Sequence, residues 1–152
     1  MNPSSASDCP FCAGDGGQVV ARDARCRVVL ADEPFPGFCR VIWSGHVAEF
    51  TDLAPADRRH CMAVVAATET ALRALLSPDK MNLACFGNLT PHLHWHVIPR
   101  FADDSHFPLS VWGERLRPGV ARPLPSRFVE SLTALLAERW PAPPSLTGDS
   151  HE

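Results

Sequence analysis

The sequence predicts an α+β domain in which strands and helices are segregated rather than alternating. Three observations carry this. The elements run in the order strands, helix, strands, helix. Neighbouring strands are joined by short connections, as antiparallel pairing allows. Residues 92–98 alternate histidine with apolar residues, the two-residue period of a strand.

Residues 1–8 (MNPSSASD) read as a flexible leader with neither a basic region nor an apolar stretch, unlike a signal peptide. A polar, glycine-rich turn follows, from Ala13 to Gly17. Arg25 to Leu30 ends in Val28-Val29-Leu30 and reads as a strand. Asp32 to Gly37 is a turn with two prolines and a glycine, and Phe38 to Trp43 is the next strand, the two forming an antiparallel pair. A helix begins near Pro55, where a missing N–H costs nothing, and Asp57 suits the positive end of its dipole. Met62, Val65, Leu72, Leu75 and Leu76 recur at helical spacing, and Ser77-Pro78-Asp79 stops the helix. Met81 to Phe86 and His92 to Ile98 read as strands separated by a Gly87-Asn88 turn. The last helix spans about Ser126 to Trp140, with Phe128, Leu132, Leu135 and Leu136 on one face. Residues 9–140 thus form one domain, and the Pro- and Ser-rich tail 141–152 is expected to be disordered.

Bulk properties bound the function. A chain of 152 residues with 45% hydrophobic residues suffices for one real core. A net charge of -3 gives no reason to expect nucleic acid or an anionic membrane as partner. No apolar run approaches the roughly 20 residues that span a bilayer, so a cytoplasmic location is expected. Of six cysteines, Cys26, Cys39, Cys61 and Cys85 are scattered and read as buried free thiols.

The chemistry lies in Pro-His-Leu-His-Trp-His-Val-Ile-Pro-Arg, residues 91–100. On a strand, His92, His94 and His96 share one face, and Leu93, Trp95 and Val97 share the other. Packing does not call for three imidazoles in a row, and titratable clusters mark sites. His92 and His96 lie about 13 Å apart at roughly 3.3 Å per residue, too far to share one metal with bonds near 2 Å. The row therefore holds three positions with different jobs, not one three-histidine metal site such as a cupin-like oxygenase uses.

This segment resembles the histidine-triad signature, His-φ-His-φ-His-φ-φ with φ apolar. His92, Leu93, His94, Trp95, His96, Val97 and Ile98 match it throughout. The resemblance extends from about Cys9 to Arg100, through the Pro36-Gly37 turn, Gly45-His46, Thr51-Asp52-Leu53 and the Asn82 strand. It implies an antiparallel sheet of about five strands with one long helix and a C-terminal helix. It also implies a nucleotide hydrolase of the diadenosine tetraphosphate hydrolase-like bacterial branch. His94 would be the nucleophile, forming a nucleotidyl-histidine that water cleaves. A backbone carbonyl near His92 would hold the other ring nitrogen of His94, and His96 would donate to phosphate or to the departing oxygen. Asp32 matches the residue that contacts ribose hydroxyls, although Asp also favours turns. Asn82 and Asn88 match polar residues lining the phosphate pocket. Phe38 stands where many members carry a fourth histidine that supports the triad.

Cys9 and Cys12 have the C-x₂-C spacing of zinc ligands, but alone they are half a site; a redox dithiol or two unliganded thiols are the alternatives. His46, His60 and His92 are available to complete the set. By the resemblance the ligands of a structural zinc would be Cys9, Cys12, His46 and His92, with His60 as the spare. No organic cofactor is implied.

After the triad, Phe107 and Trp112 either flank a ligand or, as aromatics more often do, pack on the sheet or a partner subunit, and Arg100 either faces phosphate or is solvated. Arg22, Arg25 and Arg27 are weaker candidates for a longer phosphate chain. The resemblance implies a homodimer formed about the long helix and a sheet strand. It leaves open hydrolysis of dinucleoside polyphosphates or of adenosine monophosphate conjugates, nucleotidyl transfer or phosphorolysis through the same intermediate, and nucleotide binding without turnover.

Overall fold

The computed structural model describes residues 6–141. After a 3-10 turn at Ala6–Asp8 come a short helix α1 (Pro10–Ala13) and strands β1 (Gln18–Arg22), β2 (Cys26–Leu30) and β3 (Cys39–Trp43). The long helix α2 (Pro55–Leu76), β4 (Lys80–Ala84), β5 (His94–Arg100) and α3 (Phe128–Arg139) complete the domain. The strands form one sheet in the order β1-β2-β3-β5-β4, antiparallel at every pairing. This is the expected α+β architecture. Of the proposed leader, Ala6–Asp8 is a turn of helix, and residues 1–5 lie outside the described residues, as does 142–152 of the proposed tail.

One strand, β1, has no counterpart in the elements located from sequence. Its ends are polar, and a bulge between Val19 and Ala21 breaks the period-two pattern that announces a strand. The helix termini agree with the punctuation: Pro55 opens α2, and Ser77 closes it in the left-handed conformation, its N–H bonded to the Arg73 carbonyl.

Both long helices pack on one face of the sheet, over Val20, Cys26, Val28, Cys39, Val41, Leu93 and Val97. The buried stripe of α2 is narrower than its large residues suggest. Cys61, Val64, Val65, Ala67, Ala71 and Leu72 carry it, while Met62, Leu75 and Leu76 are only partly buried at its margins. Small residues let α2 lie close to the sheet. On α3, Phe128, Leu132 and Leu136 are buried and Leu135 is partly so. Truncating a fully buried leucine such as Leu132 costs about 2–5 kcal/mol.

The other face of the sheet is left for function. Alternation places Arg40 and Ile42 of β3 and His94, His96 and Ile98 of β5 there. A smaller apolar cluster of Ala31, Phe35, Phe38, Ile98 and Val111 closes one end of this face. Gly37 makes the turn into β3 at φ +78°, where a Cβ would stand 2.5 Å from Leu76 Cδ1.

Candidate functional site

The strand expected from His92 begins at His94. His92 precedes it because its N–H turns back to the Thr90 carbonyl at 2.8 Å. Leu93 then bridges two segments, donating to the Val47 carbonyl (2.7 Å) and accepting from Trp43 N–H (3.1 Å). This lock brings the His46 loop against His92, with the rings 5.3 Å apart.

The same arrangement gathers the four expected metal ligands. The donor atoms of Cys9, Cys12, His46 and His92 all lie within 4.8 Å of one another. His92 Nδ1 is 3.3 Å from Cys9 Sγ and 3.5 Å from Cys12 Sγ, and His46 Nδ1 is 3.4 Å from Cys12 Sγ. Tetrahedral zinc with ordinary bond lengths separates sulfur from nitrogen by roughly 3.5 Å, so the spacing fits that ion. Tautomer and electrostatics agree. His92 Nε2 donates to the Trp43 carbonyl at 2.6 Å, which leaves Nδ1 with a lone pair toward the sulfurs. Desolvation and the neighbouring Cys9 push the Cys12 thiol up, a cost that a dication between the sulfurs removes. Arg27 steadies the loop, donating to the carbonyls of Phe11 (2.8 Å), Gly14 (3.0 Å) and Asp15 (2.9 Å).

His60, the spare ligand, is elsewhere. With Asp23 and Cys26 it forms a second group of donor atoms. Its Nε2 meets Asp23 Oδ2 at 2.6 Å, and that oxygen also accepts from Trp140 Nε1 at 2.9 Å. Asp23 Oδ1 accepts the backbone N–H groups of Arg25 and Cys26. Burial pushes the Cys26 thiol far up. The carboxylate is committed and the thiol protonated, so this cluster pins β1–β2, α2 and the end of α3 together.

His94 Nδ1 donates to the His92 carbonyl at 2.6 Å. Its Nε2 has no hydrogen-bond partner among the described residues. Burial lowers its pKa below the ordinary imidazole value, the His92 carbonyl opposing the shift and Arg40 adding to it. His96 is pushed down to about 4 by burial, with His94 and Arg40 contributing. Both rings are therefore neutral at pH 7. His96 Nδ1 is buried without a partner among the described residues. Phe38, in place of the usual fourth histidine, presents its ring edge to His96 at 5.6 Å and offers that nitrogen nothing.

His94 and His96 line a cavity of about 510 Å³. Pro10 and Phe11, from the cysteine loop, form one wall, with the Phe11 ring 4.8 Å from that of His94. Phe86 and Trp112 form another, their rings 5.1 Å apart, and Trp112 stacks edge-on His96 at 4.9 Å. Asn88, Thr90 and Ser110 supply neutral polar groups.

Several candidates are not in this cavity. Asp32 is exposed and does not line it. Asn82 Oδ1 accepts from Arg100 at 2.8 Å instead. Arg100 is buried, forked onto Asp104 at 2.7 and 3.0 Å, with the Phe107 ring over it. Arg22 and Arg25 pair with Asp15 and Asp57. The cation that does line the cavity is Arg40, which the sequence reading passed over. Its signal was weak but present: Arg40 alternates with the apolar Cys39 and Val41 and shares a face with Phe38 and Ile42, so it faces away from the helix-side core.

A family model described as "HIT domain" matches residues 15–103. The chain is 27% identical over 145 residues to a Mycobacterium tuberculosis protein named AP-4-A phosphorylase, covering 91% of this chain and 70% of the relative. Among solved structures it is similar to a Zn-bound histidine triad family protein from Mycobacterium smegmatis (28% identity, TM-score 0.59, 88% and 96% of the two chains). It is also similar to a histidine triad protein from Marinobacter aquaeolei VT8 (25% identity, TM-score 0.64, 83% and 90%). A histidine triad protein from Bradyrhizobium japonicum shares the fold at 22% identity and TM-score 0.64, covering 83% and 92%.

Proposed function

The chain belongs to the HIT domain family, and from that premise we propose that it is a nucleotide hydrolase working through a nucleotidyl-histidine at His94. Its substrates are dinucleoside polyphosphates or adenosine monophosphate conjugates, cleaved at the α-phosphate. The observation that carries this reading is the orientation of His94. One nitrogen donates to the His92 carbonyl and the other is uncommitted, in a neutral ring at the wall of a cavity. Neutral imidazole held in one tautomer is a nucleophile at pH 7.

In the first step Nε2 of His94 bonds to the α-phosphorus, and the bond to the departing oxygen or nitrogen breaks. His96, neutral and carrying one N–H, is the group next to His94 able to donate a hydrogen bond to the leaving atom or to the phosphate oxygens, and a departing nitrogen takes its proton from solvent. In the second step water attacks the phosphorus, the P–N bond breaks, His94 returns as neutral imidazole, and the proton lost by the water passes to solvent. Asn88 is the remaining polar contact expected for substrate. A structural zinc on Cys9, Cys12, His46 and His92 would fix His92, and with it the carbonyl that orients His94. A cytoplasmic homodimer completes the proposal.

A second reading has one observation in its favour. The Mycobacterium tuberculosis relative is named a phosphorylase, which implies transfer of the same intermediate to orthophosphate. One experiment addresses both. The purified protein is given diadenosine tetraphosphate or adenosine 5′-phosphoramidate, with and without orthophosphate, beside His94→Ala. Turnover that is lost in the variant supports the covalent route, and AMP rather than ADP as product supports hydrolysis. Nucleotide binding without turnover of either compound contradicts the enzyme reading.

A further inference from the structure

We propose that Arg40 is the receptor for a second phosphate, adjacent to the one attacked at His94, and so selects substrates or co-substrates by their anionic charge. The inference rests on the nucleotide reading above and goes beyond it, because no residue in that reading contacts a second phosphate.

Register makes the first argument. In the pairing of β3 with β5, Arg40 lies opposite His96, whereas the residue opposite His94 is Ile42. Cross-strand partners project to the same face. The cation therefore stands one residue pair beyond His94, beside His96 and away from the metal-ligand end of the row. It is placed for the neighbour of the attacked phosphorus rather than for that phosphorus itself.

Charge makes the second. Arg40 is the one charged side chain lining the cavity among the described residues. Its partners leave it with capacity. One NH2 hydrogen meets Glu33 Oε1 at 2.6 Å, and an NH1 hydrogen meets the Gly16 carbonyl at a long 3.3 Å. A guanidinium has five donors in a planar fork, so three are uncommitted. That fork matches phosphate oxygens. Glu33 is a third exposed and does not line the cavity, so it can yield to solvent when a phosphate arrives. His96, the cross-strand neighbour, is buried with an unpartnered Nδ1. Arg40 and His96 line the same cavity, so an anion held by the guanidinium sits beside the imidazole.

The second phosphate has two sources with the same chemistry: the departing polyphosphate chain, or an incoming orthophosphate. Transfer of the nucleotidyl group from His94 to orthophosphate forms a P–O bond, breaks the P–N bond and releases a nucleoside diphosphate. Transfer to water releases the monophosphate.

The test is titration calorimetry of the full chain with ADP and with AMP, for wild type, Arg40→Met, Arg40→Lys and Glu33→Gln. A charge-assisted contact corresponds to roughly tenfold or more in affinity. Wild type is expected to prefer ADP over AMP by at least about that factor. The ratio collapses toward one in Arg40→Met, is partly kept in Arg40→Lys, and rises in Glu33→Gln, where the competing carboxylate is gone. A merely structural Arg40 would not make Glu33→Gln bind ADP more tightly. The inference is overturned if wild type shows no ADP preference, or if Arg40→Met keeps it. Should Arg40→Met fail to fold, the Lys and Gln variants decide by the direction of the ratio. If neither nucleotide binds wild type, the nucleotide reading itself fails. Products then separate the sources: ADP formation from diadenosine tetraphosphate that needs orthophosphate and falls in the Arg40 variants assigns the incoming phosphate. AMP formation indifferent to orthophosphate but reduced in those variants assigns the departing chain.

Discussion

The two outer histidines of the row share a residue type, a flank of His94 and nearly complete burial, yet their nitrogens meet opposite surroundings. His92 is fully engaged: Nε2 donates to the Trp43 carbonyl, and Nδ1 faces two cysteine sulfurs. His96 is held by ring contacts with Phe38, His94 and Trp112, and its Nδ1 meets no partner. The difference teaches that position in a motif does not assign a job. The groups around each ring do, and here they tie one end of the row to backbone and sulfur and leave the other held by ring contacts alone.

The largest expected effect falls at the anchored end. Cys12→Ser should abolish stoichiometric zinc, read by elemental analysis. Loss of a folding-coupled metal site costs several kcal/mol, so Tm should fall by on the order of 10 °C. Unchanged Tm and no zinc in the wild-type protein would make this end a plain thiol–imidazole contact and dissolve the contrast.

The next effect belongs to the free end and is a pH dependence. Folded His96 stays neutral down to about 4, whereas an unfolded imidazole takes up its proton near pH ~6.5. Between those values the unfolded chain binds more protons, so stability falls as the pH drops from about 6.5 to about 4 and levels off below. One such group contributes at most about 1.4 kcal/mol per pH unit. Asp23 and Asp104, held low by their hydrogen bonds, lose their contribution only at still lower pH, as it falls through their depressed values. Urea unfolding at pH 7 and pH 5 should therefore show a smaller loss in His96→Asn than in wild type. An equal loss in both proteins would mean that His96 titrates normally.

The smallest effect sharpens the comparison by making the ends alike. Phe38→His gives the His96 ring a polar neighbour, which should raise its pKa from about 4. Stability should change by no more than about 1 kcal/mol, as lost apolar contact opposes the new hydrogen bond. Imidazole proton shifts followed by NMR titration report it. A His96 titration that does not move would show that burial, with His94 and Arg40, sets it whatever stands at position 38.

Much of this was legible in the sequence, for reasons particular residues show. The one-sided row is a local pattern, and Pro55 and Ser77 punctuate α2 by backbone rules that need no tertiary context. Strand β1 was hidden by its bulge. The choice between His46 and His60 depended on Leu93 bridging Trp43 and Val47, a long-range lock with no local signature. Asn82 and Arg100 read as pocket residues because polar groups near a motif suggest a site. They spend their hydrogen bonds on each other and on Asp104, in a network that organises the loop after β5. Arg40 was passed over because its place beside His96 is set by the β3–β5 register.

The central claim is that His94 carries the nucleotidyl group, and trapping that group tests it most directly. The protein is mixed with diadenosine tetraphosphate, quenched within a turnover and digested for mass spectrometry. An adenylyl group on His94, absent from the His94→Ala variant, is the result the account predicts. Turnover that proceeds with no adduct on His94, or that survives in His94→Ala, would contradict it.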